Sequence, residues 1–219
     1  MIRWNGCLLQ TPNNTITIIL NIFHDFIMIL LLSTLILVFL TLLTSMYFKN
    51  LSNYFTENEE LENLWTLGPF FLLIGIIYPS LRCLFIIESN FFCSLSVRVT
   101  AHQWYWSYNY LNFFDWRFDS YISRRNFLRL LDVDNRLTLP SNLRVRCFIT
   151  SRDVLHSWAL PSLGLKSDAI PGRISQVIVH RNRTGVILGQ CSEICGAYHS
   201  FIPIVLEFID FKDYIKLNI

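Results

Sequence analysis

The densest chemistry in the 219-residue chain lies near its end, in Cys191-Ser-Glu-Ile-Cys195-Gly-Ala-Tyr-His199. Two cysteines and a histidine recur at intervals of four, and a loop leading into the apolar run from Pro203 could aim all three inward. A second histidine lies upstream in Asp153-Val-Leu-His156-Ser-Trp158. Thiolate and imidazole donors suit zinc or copper. Three chemistries are open at this point. A Cys191–Cys195 disulfide would leave both histidines idle. A closed zinc site is reasonable, although structural zinc favours tighter C-x2-C turns. A copper electron-transfer site suits one upstream histidine followed by a Cys…His loop, and a second cysteine lets two thiolates bridge two copper ions.

These donors need a rigid scaffold, and the segment from Ser89 to Ile219 supplies a β pattern. Apolar and polar residues alternate in Leu143-Arg-Val-Arg-Cys-Phe-Ile-Thr150. Further β-rich runs are Val97 to Tyr110, Ser175 to His180 and Pro203 to Ile209, separated by Pro, Gly, Asn and Asp. A small all-β sandwich or barrel is expected, with no long helical pattern and no internal repeat. In the run Trp104, Trp106, Tyr108 and Tyr110 the period-two spacing reads as a core face. His156 falls between strand-like runs. Cys7, Cys83, Cys93 and Cys147 read as ordinary apolar or free thiols, His102 as structural, and His180 as part of a polar turn.

The first part of the chain has a different texture. Phe26 to Phe48 is 23 residues without a charge, and Asn63 to Leu81 is a second uncharged stretch of 19. About 20 apolar residues cross a bilayer as a helix. Two spans are expected, near 26–48 and 63–82, with the hairpin in residues 1–88 and the β domain in 89–219. Gly68, Pro69, Gly75 and Pro79 in the second stretch are tolerated where neighbouring helices pack. The first stretch reads as a retained span, since it is long for a signal h-region and lacks a small-residue cleavage site. Only 16% of residues are charged and the formal charge is +2, which argues against a simple soluble enzyme and against nucleic acid as main partner. Lys and Arg concentrate downstream, 15 of 18 from Ser89 onward, so loop charge alone does not orient the hairpin.

His102-Gln-Trp-Tyr-Trp-Ser-Tyr108, Asp153-Val-Leu-His-Ser-Trp-Ala-Leu-Pro-Ser-Leu-Gly-Leu-Lys166, Asp168-Ala-Ile-Pro-Gly-Arg173 and Gly189-Gln-Cys-Ser-Glu-Ile-Cys-Gly196 together closely resemble cytochrome c oxidase subunit II. The resemblance extends through Phe23-His-Asp25, Leu64-Trp-Thr66, Tyr78-Pro-Ser-Leu-Arg82 and Val133-Asp-Asn-Arg136, nearly the whole chain. It implies a two-helix hairpin anchoring a cupredoxin-like β-barrel with a binuclear CuA centre that takes electrons from cytochrome c. It further implies transfer to the haem–copper subunit I, where O2 is reduced with proton pumping. By the same resemblance Cys191 and Cys195 bridge the coppers, and His156 and His199 are terminal ligands. Glu193 offers its carbonyl to copper and its carboxylate to a magnesium ion shared with subunit I. Trp104 becomes an exposed electron entry point, and Glu62 the mouth of a proton pathway, where the residues alone suggest a carboxylate favoured by a helix N-terminus.

The implied partners are subunits I and III, the lipid bilayer and, transiently, cytochrome c near Trp104, Asp115, Asp119, Asp134 and Asp153. The implied location is the mitochondrial inner membrane, with the copper domain in the intermembrane space and the hairpin loop in the matrix. A related quinol oxidase subunit II lacks the four Cys/His ligands that this chain has. Two departures stand out. The family loop ends His-Ser-Phe-Met-Pro, whereas this chain has Ile202 in place of the methionine; either the residue is a genuine replacement, which removes a thioether donor and is expected to raise the copper potential, or it is an AUA codon that a mitochondrial code reads as Met. Acids common after the Trp-Tyr-Trp stretch are replaced by Asn and Phe, Arg152 precedes Asp153, and the segment from Ser89 carries a net +5. A shallow salt dependence of donor docking is therefore expected.

Overall fold

The computed structural model describes residues 9–48, 57–89, 92–111, 116–123 and 128–217. Asp115, Cys7 and most of the loop between the two apolar stretches lie outside them. Two long helices come first, α1 (Thr15–Tyr47) and α2 (Glu59–Glu88). Both outrun the uncharged windows near 26–48 and 63–82. Helical hydrogen bonding does not stop where charge begins, and each helix starts at an asparagine. Asn58 Oδ1 accepts from the Leu61 amide at 3.0 Å, and Asn14 Oδ1 accepts from the Thr17 amide at 2.7 Å. Such a cap stabilises a helix by about 1 kcal/mol. Three acids, Glu59, Glu60 and Glu62, occupy the first turn of α2, where the helix dipole favours them. Large apolar side chains are exposed along the full length of both helices, the surface of a segment solvated by lipid or by other spans.

Residues 19–89 form one compact unit, and the β domain, with the first turn of α1, forms another. That first turn is tied down. The Asn14 side-chain Nδ2 donates to the Leu163 carbonyl at 2.9 Å, and the Asn13 backbone amide to the Ser162 carbonyl at 3.0 Å.

Ten strands follow: β1 (Leu95–His102), β2 (Tyr105–Tyr110), β3 (Trp116–Ser120), β4 (Leu137–Pro140), β5 (Val145–Ser151), β6 (His156–Leu160), β7 (Leu165–Ala169), β8 (Ser175–Val179), β9 (Gly185–Gln190) and β10 (Pro203–Ile209). A short helix α3 (Phe211–Leu217) ends the described chain. The sheet order β3-β2-β1-β5-β8 is antiparallel except for the parallel β1–β5 pair. A three-stranded sheet β4-β10-β9 and the β6-β7 hairpin complete the domain. No closed barrel forms among the described residues; three sheets share one core instead.

The core follows the period-two expectation where it was readable. Trp106, Tyr108 and Tyr110 point inward with Val97 and Val99 from β1, and meet Trp158, Leu160, Ile204 and Leu206. The Tyr110 hydroxyl donates to the Thr138 carbonyl at 2.7 Å, so its burial leaves no polar atom unmet. Burying each such aromatic stabilises the fold by about 2–3 kcal/mol. Cys83 and Cys147 are buried free thiols, and burial pushes the Cys147 thiol well above its ordinary pKa. His180 lies just past β8, and burial together with nearby Arg144 lowers its pKa.

Candidate metal centre

Two adjacent pieces of the β domain carry the donors. His156 opens β6 and is fully buried. It is thus a strand residue rather than one between strands. Cys191 follows β9 directly, and the loop runs through Glu193, Cys195 and Gly196 into a 3-10 turn, His199–Phe201, before β10. Gly189 brings the two pieces together. A Cβ there would lie 2.0 Å from the Ala159 carbonyl oxygen, so only glycine lets β9 approach β6 this closely. The Ser192 amide then donates to the Ser157 carbonyl, and the Cys191 amide to the Ile202 carbonyl, both at 3.0 Å. Both ends of the ligand loop are thereby pinned.

The pinned loop puts His156, Cys191 and Cys195 in one buried cluster whose ligand atoms all lie within 4.8 Å of one another. His156 Nδ1 is 3.9 Å from Cys191 Sγ, and His199 Nδ1 is 3.4 Å from Cys195 Sγ. Cys191 Sγ also lies 3.4 Å from the Glu193 carbonyl oxygen. No disulfide joins the two thiols. A single tetrahedral ion would gather all four donors at edges of about 3.3–3.8 Å. Here His199 stands outside the three-residue cluster, with its Nδ1 beside the Cys195 thiol. The nearest thiol contact of the His156 Nδ1 is instead with Cys191, although His156 lies within 4.8 Å of both sulfurs.

The other face of His156 is fixed as well. Its Nε2 lies 2.9 Å from Asp153 Oδ1, the carboxylate–imidazole arrangement that sets the tautomer of a metal-binding histidine. Burial disfavours the His156 cation, but Cys191 and Asp153 outweigh it and leave the pKa above its ordinary value. Burial likewise opposes ionisation of Asp153, yet hydrogen bonds from His156 and from the Val154 and Gln103 amides hold its pKa below the usual carboxylate value. The thiols diverge. Burial resists the Cys191 thiolate, but His156 and backbone donors bring its pKa below the ordinary thiol value. Cys195 is pushed up to about 12 by burial and by Cys191.

Trp104 closes one side. It is half-buried rather than exposed, with its ring against the loop at Gly196, where a Cβ would meet Trp104 Cζ2 at 3.2 Å. Gly196 has φ +127°, a backbone region that side-chain-bearing residues rarely adopt. Trp104 also makes an edge contact with Tyr198 at 4.9 Å between ring centroids. Its neighbour Gln103 donates from Nε2 to the Cys195 carbonyl at 2.8 Å. Ile202 is buried beneath the loop.

The remaining sequence candidates lie elsewhere. Glu62 is exposed in the first turn of α2. Asp134 is exposed, and its carboxylate accepts from the Tyr121 and Asn135 amides. Asp119 is half-buried on β3, and Asp115 lies outside the described residues. Sequence reasoning took Asp153 as a docking acid and missed its contact with His156, although the i,i+3 spacing was a signal. It gave Gln103 and Gly189 no role of their own.

The chain is similar to known proteins along nearly its whole length. Residues 95–209 match the cytochrome c oxidase subunit II periplasmic domain, and residues 3–83 match the subunit II transmembrane domain. Cytochrome c oxidase subunit 2 of Ctenocephalides felis is 45% identical, covering 99% of this chain and 97% of that protein. The Oncopeltus fasciatus protein is also 45% identical, over 99% and 96%. Among solved structures, the periplasmic domain of subunit II of cytochrome oxidase from Bradyrhizobium japonicum is 39% identical over 58% of this chain and 92% of that one, with a TM-score of 0.57. A mixed-disulfide intermediate between a thioredoxin-like protein and subunit II of cytochrome c oxidase is 37% identical over 60% and 92%, with a TM-score of 0.54. With both its apolar hairpin and its cupredoxin-like domain matched, the chain belongs to the cytochrome c oxidase subunit II family.

Proposed function

We propose that the loop and β6 hold the binuclear CuA centre of this family, with Cys191 and Cys195 as bridging thiolates and His156 and His199 as terminal ligands. The chain itself is a membrane-anchored component of cytochrome c oxidase, a respiratory electron-transport complex. The observation that carries the copper reading is the pairing of each imidazole Nδ1 with its own thiol, 3.9 Å at Cys191 and 3.4 Å at Cys195. That split suits two ions better than one zinc. The Glu193 carbonyl, 3.4 Å from Cys191 Sγ, suits a further weak ligand. When bound, the copper pair supplies a one-electron acceptor whose charge is spread over two metals and two sulfurs.

Each protein group then has a defined task. Asp153 holds His156 in one tautomer. Gln103 fixes the Cys195 carbonyl, which limits movement of the loop between redox states. Trp104 is the electron entry point in this reading, because its ring packs on the ligand loop and it is half-buried. Exposed Leu155, Ile194, Tyr198 and Phe201, each one or two residues from a ligand, supply apolar contact area for cytochrome c. Asp119, Asp134, Asp153 and Asp115 supply the acidic part of that face. The Glu193 carboxylate is the magnesium ligand shared with subunit I, and Glu62 the mouth of the proton pathway. Subunits I and III cover the apolar faces of α1 and α2. The copper domain faces the intermembrane space, with the hairpin loop in the matrix.

Replacement of Cys191 or Cys195 by Ser tests this reading. One thiolate cannot hold two coppers, so electron entry from cytochrome c is expected to be lost in either variant, while artificial reductants still reach subunit I. Normal cytochrome c oxidation in either variant would overturn the assignment.

A further inference from the structure

We propose that the outer face of the large sheet carries a binding groove for a phosphate-bearing anion. Arg98, Arg117 and Arg152 line one groove of about 540 Å3. Strand register puts two of them in a single row. Arg98 on β1 pairs with Asn109 on β2, which pairs with Arg117 on β3. Neighbouring strands lie about 4.8 Å apart, so the two arginine backbones stand about 10 Å apart. Side chains of this length close that gap around a small polyanion. Arg152 joins from the end of β5, held by its amide to the Ala101 carbonyl at 3.1 Å.

The charges are not used internally. Among the described residues the ion pairs involve Arg136, Lys216 and two histidines, and none of these three arginines. Arg117 Nε donates to Ser107 Oγ at 2.9 Å, which fixes the plane of the guanidinium and leaves its terminal nitrogens for a ligand. The next row adds the Thr100 hydroxyl, between Ser107, which is buried and accepts from Arg117, and Thr150, whose Oγ1 already donates to the Ile170 carbonyl at 3.5 Å. Asp119 is the acid registered in that row, opposite Ser107, and Arg146 shares the face, so the surface stays net positive. Three guanidinium groups with the Thr100 hydroxyl on one concave surface match the several oxygens of a phosphate chain. A basic protein is repelled here. A carboxylate offers two oxygens to three arginines, fewer than a phosphate chain does.

Position gives the groove a consequence. Arg152 is the chain neighbour of Asp153, so a bound anion lowers positive charge beside the proposed donor face. That consequence rests on the docking reading above; the binding itself does not.

The test is equilibrium dialysis of radiolabelled pyrophosphate against the intact oxidase at about 0.15 M salt, where long-range attraction is largely screened. The proposal expects saturable binding that weakens by at least about tenfold in an Arg98→Gln, Arg117→Gln double variant, about 1.4 kcal/mol or more. Unchanged copper absorption in the variant reports an intact domain. Absence of saturable binding, or equal binding by the double variant, would overturn the proposal. So would tighter binding of a poly-glutamate peptide, which would make the groove a site for an acidic protein. Repeating the assay in lipid nanodiscs separates sources. Equal binding in detergent and nanodiscs marks a soluble phosphate ligand, whereas binding seen only after delipidation marks a lipid phosphate already in the groove. A fall in KM for cytochrome c on adding pyrophosphate, absent in the double variant, tests the docking consequence separately.

Discussion

The hairpin and the β domain solve different problems with the same apolar residues. In residues 19–89 large apolar side chains face outward along both helices, and Cys83 alone is buried among the described side chains of α2. Stability there comes from lipid and from other spans. The β domain instead buries its own core, with Trp106, Trp158 and Tyr108 fully enclosed. A metal centre needs donors held to fractions of an ångström, and a self-packed domain provides that. A membrane hairpin without its partners does not. The donor chemistry therefore concentrates where the chain supports itself, and the hairpin contributes anchoring and a cluster of boundary carboxylates that includes Glu62.

This contrast can be broken from the β side first. Gly189→Ala forces a methyl group onto the Ala159 carbonyl at the β6–β9 contact, where nothing flexible can yield. A destabilisation above about 4 kcal/mol is expected, with loss of the assembled copper domain. Thermal unfolding and copper content of the variant check it. Near-normal values for both would mean that the strands can separate without cost to the site.

Asp153→Asn is a milder cut at the same region. The His156 contact survives as a weaker, neutral hydrogen bond, so the fold should hold while copper affinity falls by about 10–100-fold. Copper retention against a chelator reads this directly. A change confined to the KM for cytochrome c would return Asp153 to a pure docking role.

On the hairpin side the smallest effect is expected. Glu62→Gln keeps the helix start, since the Asn58 cap and two other acids remain. Proton uptake should slow while reduction of the copper site stays normal, as followed by pH-indicator and absorbance transients. Unchanged turnover would leave Glu62 as one of three carboxylates serving the helix dipole.

The uneven legibility of the chain has physical causes. Uncharged length revealed both spans, but not their ends, because Asn14 and Asn58 cap the helices outside the apolar windows. β5, β8 and β10 were readable as apolar or alternating runs. β6 was not, because all five of its residues are buried and no period-two signal survives. β1 and β2 read as one run, since the turn at Gln103–Trp104 contains no glycine or asparagine to mark it. β3 and β7 carry polar and charged residues that look like loop. At the site, donor chemistry exposed Cys191, Cys195, His156 and His199. The roles of Gly189 and Gln103 depend on contacts with Ala159 and Cys195, far away in sequence, and no local pattern encodes them.

In the function proposed here, two thiols and two imidazoles hold a pair of copper ions sharing one electron. Metal analysis of the purified oxidase, combined with electron paramagnetic resonance of the oxidised β-domain centre, tests it most directly. The account predicts two coppers per chain at this centre, thiolate-to-copper absorption, and hyperfine structure from both nuclei on one unpaired electron. One zinc per site, or a single copper with hyperfine structure from one nucleus alone, would contradict it.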